Sequence, residues 1–182
     1  MALSQIDTNA ALIIIDLQKG IAGLPTAHPA AEIVERSARL ARAFRARKLP
    51  VVLVNVAGRA PGRTDATFDF TPPADWVDLV PELDRQPDDY TVTKMQIGAF
   101  CGTALEQILR RRGVTQVFFT GIATSMGVEA TARTAYDQGY NVVLVTDAMT
   151  DLNAEAHENS LTRTFPRIGE STSTEEVLGK LG

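Results

Sequence analysis

The sequence predicts an α/β fold, a parallel sheet sandwiched between two layers of helices. Three observations predict it. Short, almost wholly apolar runs recur along the chain, as in strands buried on both faces. Between them lie stretches with apolar residues at three- and four-residue steps, the mark of helices covering a sheet. The two patterns alternate with short connections, which implies right-handed βαβ crossovers in one sheet.

The apolar runs are Ala10–Ile15, Val51–Val56 after the Leu49-Pro50 break, and a weaker one at Tyr90–Lys94. Gln116–Thr120 and Asn141–Thr146 follow, and Arg167–Ser171 reads as a short last strand. Helices are predicted over Ala30–Arg47, Thr103–Arg112, Ser125–Gln138 and Asn153–Phe165. Ile33, Val34, Leu40, Ala41 and Phe44 form the apolar stripe of the first. Thr103 is a candidate N-cap of the second, which ends on arginines and stops at Gly113; Gly139 closes the third in the same way. Pro166 stops the fourth, and Ser173 with Glu176 fits a capping box opening a C-terminal helix. The stretch Ala57–Pro87, rich in Pro, Asp and Thr, reads as a long excursion with a short helix near Trp76–Leu83.

With 182 residues the chain is expected to form a single domain, 1–182, large enough to bury a full core. The 45% apolar and 22% charged content is that of a globular protein. A net charge of -4, from 18 basic and 22 acidic side chains, leaves no electrostatic footprint for nucleic acid or an anionic membrane. One cysteine, Cys101, allows no internal disulfide, which is compatible with a reducing cytoplasm. The opening MALSQIDTNA has neither a basic start nor a long apolar run, so no signal peptide is expected.

In a parallel sheet of this kind ligands bind beyond the carboxyl ends of the strands. Asp16 closes the first strand, Asn55 lies near the end of the second and Lys94 closes the third. Asp147 closes the fifth. A carboxylate and an ammonium meeting at that edge can form a coupled acid–base pair, although a strand-terminal Asp also serves as a cap or turn former. After the fourth strand, Gly121–Val128 (GIATSMGV) has the form of strand, turn and helix start. The backbone N–H groups of Met126 and Gly127 are candidate anion or oxyanion donors there; equally, Thr124 or Ser125 merely caps the helix. Candidate pocket residues are Asn55, Gln96, Phe100, Thr124 and Ser125, with part of the Ala57–Phe70 excursion.

The chain resembles the isochorismatase-like hydrolases of the cysteine hydrolase superfamily. The matching segments are LIIIDLQKG, TKMQIGAFCGTALEQILRRRGV, GIATSMGVEATARTAYDQGYNVVLVTDAMTD, and AEAHENSL with the FPRIG that follows. The resemblance implies a three-layer, Rossmann-like αβα sandwich with six parallel strands in the order 3-2-1-4-5-6. It implies a catalytic Asp at Asp16, a catalytic Lys at Lys94, and a homodimer or larger homo-oligomer acting on a small-molecule substrate. It also exposes departures. Members similar to nicotinamidases carry a nucleophilic cysteine at the start of the helix after the fourth strand, and here that position is Gly127. Glycine cannot form an acyl-enzyme. The branch resembling true isochorismatases also lacks the cysteine and uses the Asp as general acid with water. That branch, however, carries an Arg where Gln96 stands, and a Y-A-H where Ala123-Thr124-Ser125 stands. A neutral amide cannot replace the charge-assisted fork of a guanidinium, so isochorismate is not the expected substrate.

The expectation is thus a hydrolase using Asp16 as general acid or base, Lys94 as its partner and water as nucleophile, with no cofactor. No metal is expected, because the segment NVAGRAPGRTDATFD has no His and the two histidines, His28 and His157, are far apart in sequence. Two alternatives stand beside it: a metabolite- or partner-binding member without catalysis, and a C–N hydrolase using another nucleophile, Cys101. Catalysis requires Asp16 and Lys94 within about 4 Å, the range of a direct ion pair.

Overall fold

The computed structural model describes residues 3–65 and 71–182. Six parallel strands form one sheet in the order β3-β2-β1-β4-β5-β6, as the resemblance implies. They are β1 (Ala10–Ile15), β2 (Val51–Val56), β3 (Tyr90–Lys94), β4 (Gln116–Ile122), β5 (Asn141–Thr150) and β6 (Glu170–Thr172). Every residue of β1 and β4 is buried, which is why both runs lack the alternation of a half-exposed strand.

The alternating side chains of β1 build two cores. Leu12 and Ile14 face α2 (Ala30–Ala46) and α7 (Thr174–Leu181), where Leu40, Phe44 and Val177 complete the layer. Phe44 meets Phe118 edge-on at 5.3 Å. Ala11, Ile13 and Ile15 face α3 (Leu105–Arg111) and α4 (Glu129–Asp137) on the other side, against Leu105, Leu109, Ala132 and Ala135. Among the described residues the remaining α-helices are short: α1 (Lys19–Ala22), α5 (Ala154–Asn159) and α6 (Phe165–Ile168). No helix among the described residues is long and apolar enough to cross a membrane.

Several predicted boundaries shift. The last strand lies at Glu170–Thr172 rather than Arg167–Ser171, because Phe165–Ile168 continues as helix with Pro166 in its first turn, where its missing N–H costs nothing. β5 runs on to Thr150, past Asp147, through an irregularity opposite Phe119–Gly121. Asp147 therefore does not close the strand. Its carboxylate accepts from the Thr174 N–H at 2.8 Å and caps α7. The capping box is half made: Ser173 Oγ accepts from the Glu176 N–H, while the Glu176 carboxylate turns to Thr172 and Leu3. The predicted cap Thr103 stands one residue before the observed cap position: Ala104 directly precedes α3, and Thr103 Oγ1 accepts from the Leu105 N–H.

Candidate active site

Register brings the strand ends to one edge. Ile15 pairs with Val54 and with Gly121, and Val56 pairs with Lys94. Asp16, the residue after β1, therefore emerges between the ends of β2 and β4. Its backbone takes a left-handed conformation, φ 52°, unusual for a residue other than Gly, Asn or Asp and common at functional turns. Gly121, at φ 121°, makes this turn fit: a Cβ there would collide with the Ile15 carbonyl oxygen. Lys94 extends from the end of β3 to meet the carboxylate.

Lys94 Nζ lies 2.8 Å from Asp16 Oδ2 and donates a second hydrogen bond, also 2.8 Å, to the Ile97 carbonyl. Both side chains are buried, Lys94 at 2% exposure and Asp16 at 7%. The ammonium has three N–H donors, so one remains beyond these two contacts. Asp16 Oδ1 is buried with no hydrogen-bond partner. Burial pushes the Asp16 carboxyl up to about 6, against the downward pull of the Lys94 charge and hydrogen bond.

This pair forms the floor of a cleft of about 250 Å³. Gly127 completes the floor. A Cβ on it would stand 3.2 Å from Asp16 Oδ2, 3.4 Å from Lys94 Nζ and 2.9 Å from Ile15 Cγ2. The walls are mostly apolar, with Ile21, Leu24, Ile122 and Ile97 among them. From the long excursion come Gly58, Arg59 and Ala60; residues 66–70 of that predicted wall lie outside the described residues. Gln18, fully buried, holds this wall in place. Its amide accepts from the Val56 N–H at 2.7 Å and donates to the carbonyls of Val56 and Trp76.

Of the predicted pocket residues, Gln96 lines the cleft. The other four do not. Asn55 is buried and donates to the Val77 carbonyl, pinning the excursion from beneath. Phe100 is buried in the core, its ring 6.2 Å from Tyr140. Thr124 is fully buried and shares a 2.8 Å hydrogen bond with His157 Nδ1. Ser125 directs its N–H to Asp151 Oδ2 at 2.7 Å.

The predicted anion site changes accordingly. The turn Thr124–Val128 is wide, with the Val128 N–H reaching back to the Ala123 carbonyl. The Met126 N–H also bonds that carbonyl, at 3.1 Å, so it is not an open donor. Asp151 supplies the negative charge that this helix start favours. Met126 still lines the cleft through its side chain.

His28 and His157, too far apart in sequence to suggest a ligand pair, meet with ring centroids 4.9 Å apart. Burial first, and then the neighbouring His28, hold the His157 imidazole below its usual range. His28 Nδ1 lies 3.0 Å from Thr150 Oγ1, so the pair ties the turn after β4 to the end of β5. No group of three or more His, Cys, Asp or Glu side chains among the described residues is arranged to hold a metal ion. Cys101 is exposed and is not part of the cleft wall.

Comparison with known proteins agrees with this architecture. The family model for the isochorismatase domain matches residues 10–176. The chain is similar to the isochorismatase family protein YwoC of Bacillus subtilis, at 44% identity over 92% of each chain. It is 34% identical to the streptothricin hydrolase of Streptomyces noursei, over 93% of this chain and 59% of that one. An isochorismatase family protein from Burkholderia thailandensis superposes with a TM-score of 0.88, at 42% identity over 97% of each chain. The chain belongs to the isochorismatase family.

Proposed function

We propose that the protein is a hydrolase of a small organic molecule, in which Asp16 and Lys94 act as an acid–base pair on water and no covalent enzyme intermediate forms. The observation that carries this reading is the buried 2.8 Å ion pair on the floor of an otherwise apolar cleft. A carboxyl whose titration is shifted by burial beside a specific charge partner in a cleft is a candidate catalytic group. Hydrolytic relatives, such as the streptothricin hydrolase, support the reaction class.

Asp16 is ionised at neutral pH and takes a proton from water. The hydroxide oxygen bonds to the electrophilic carbon of the substrate. Charge that develops on the substrate is met by Lys94 through its remaining N–H. Asp16 then returns the proton to the leaving nitrogen or oxygen as its bond to carbon breaks. We read Gly127 as standing where cysteine-dependent members carry their nucleophile. The approach of its notional Cβ to both Asp16 and Lys94 supports that placement. Glycine leaves room for water at this point and no atom that could attack.

The test is turnover of a panel of amides and ureas by the native chain and by Asp16→Ala. The expected result is turnover of at least one class by the native chain and none by the variant. An equal rate from Asp16→Ala would sink the proposal. Gly127→Ala is a second, independent probe. Its methyl group occupies the water position and presses on Ile15, so kcat/KM should fall at least tenfold and overpacking should cost about 1–3 kcal/mol. Steady-state kinetics and thermal melts read the two effects separately. A variant with native kinetics would show that this space is not used.

A further inference from the structure

Large exposed hydrophobic side chains are unevenly distributed on this protein. Among the described residues they are Met95, Ile97, Met126, Tyr136 and Leu152, each about half exposed. Ile97, Met126 and Leu152 all line the mouth of the cleft above Asp16 and Lys94. Met95 packs so closely over Gly58, itself a wall residue, that a Cβ there would collide with its methyl group. Four of the five therefore gather at one opening, although they come from the turns after β3, β4 and β5. Single exposed hydrophobics are ordinary, but a cluster at the rim of a concave site marks a binding surface. The inner wall continues it with Ile21, Leu24, Val56 and Ile122, and the walls' polar side chains are Gln96 and Arg59.

We propose that this cleft selects substrates with an apolar body, an alkyl chain or ring, that carry the hydrolysable group at one end. The polar end reaches the Asp16–Lys94 floor, and the body lies against Ile97, Met126 and Leu152 with Met95 at the outer edge. This rests on the cleft being the substrate site, as in the function proposed above, but not on any step of the chemistry. The occupant is a small molecule rather than a flat partner surface because the apolar residues ring a concavity that leads inward to the ion pair.

The test uses binding, not turnover. Aliphatic primary amides from acetamide to hexanamide are titrated into the native chain labelled at the methionine methyl groups, followed by NMR. Each methylene that leaves water should tighten binding about fourfold. The Met95 and Met126 signals should move with the longer amides, while that of the buried Met149 should not. Leu152→Asp, a change at a half-exposed site, should weaken hexanamide binding about tenfold and flatten the chain-length dependence. Affinity independent of chain length, or signals moving only at Met149, would overturn the proposal. So would a Leu152→Asp chain whose sedimenting mass falls while hexanamide binds as before, since the rim would then be an interface between copies. If the turnover panel fails while the chain-length dependence holds, the hydrolytic reading is lost and the apolar specificity stands.

Discussion

Replacing Asp16 by Asn is expected to lower kcat/KM by about 10²–10⁴, the range in which positioned acid–base groups act. Asparagine keeps the shape of the side chain and an oxygen for Lys94 to donate to, but it cannot accept a proton from water. The variant also leaves a buried ammonium without its counter-charge, so its stability must be followed alongside its rate. Kinetics must therefore be measured below the variant's own unfolding temperature, with circular dichroism confirming a folded chain. The stability change carries its own signature. The folded chain holds the Asp16 proton more tightly than the unfolded chain, in which the carboxyl titrates near 3.8. This carboxyl's contribution to stability is thus complete below about pH 4 and is lost as pH rises through about 6. Asp16→Asn should remove that part of the pH dependence. Activity within tenfold of native in a folded Asn variant would show that Asp16 is not the base.

Gly121→Ala is expected to abolish cooperative folding. The residue combines a φ of 121°, which side chains rarely adopt, with a Cβ direction blocked by the backbone of Ile15. The obstacle is the neighbouring central strand, which cannot move without breaking its pairing with both β2 and β4. A cost above about 4–5 kcal/mol is exceptional for a single substitution but consumes much of a typical domain stability of about 5–15 kcal/mol. A thermal melt should show no native transition, or one lowered by well over ten degrees. A melting temperature within a few degrees of native would mean that the two strand ends can separate. It would also mean that the Asp16 turn is not held by the close approach of β4.

The sheet was legible because its strands are buried on both faces, so Ala10–Ile15 and Gln116–Thr120 announce themselves as continuous apolar runs. The ends were less so. Asp147–Thr150 lies beyond the predicted strand until an irregular pairing with β4 carries the strand onward, and Arg167–Ile168 looks strand-compatible although Pro166 sits well in a first helical turn. Asp16 and Lys94 were legible because strand ends in a parallel sheet share an edge, whatever their separation in sequence. Phe100 and Thr124 were misplaced because adjacency in sequence to the site does not fix which way a side chain turns; both turn into the core. The apolar rim of Met126 and Leu152, the His28–His157 contact and the Asp151 anchor depend on long-range packing of separate turns, which no local pattern encodes. Gln18 was within reach: a polar residue two positions beyond Asp16, at the end of an apolar run, had to bury its amide against backbone groups.

The most direct test is the pH dependence of kcat/KM for the native chain on whichever amide or urea it turns over. With ionised Asp16 as the base, the rate should be low in acid, rise tenfold per pH unit, and level off above about 6, where the carboxyl titrates. A profile that is flat across pH 6, or that falls as Asp16 loses its proton, would contradict general-base catalysis by this carboxylate.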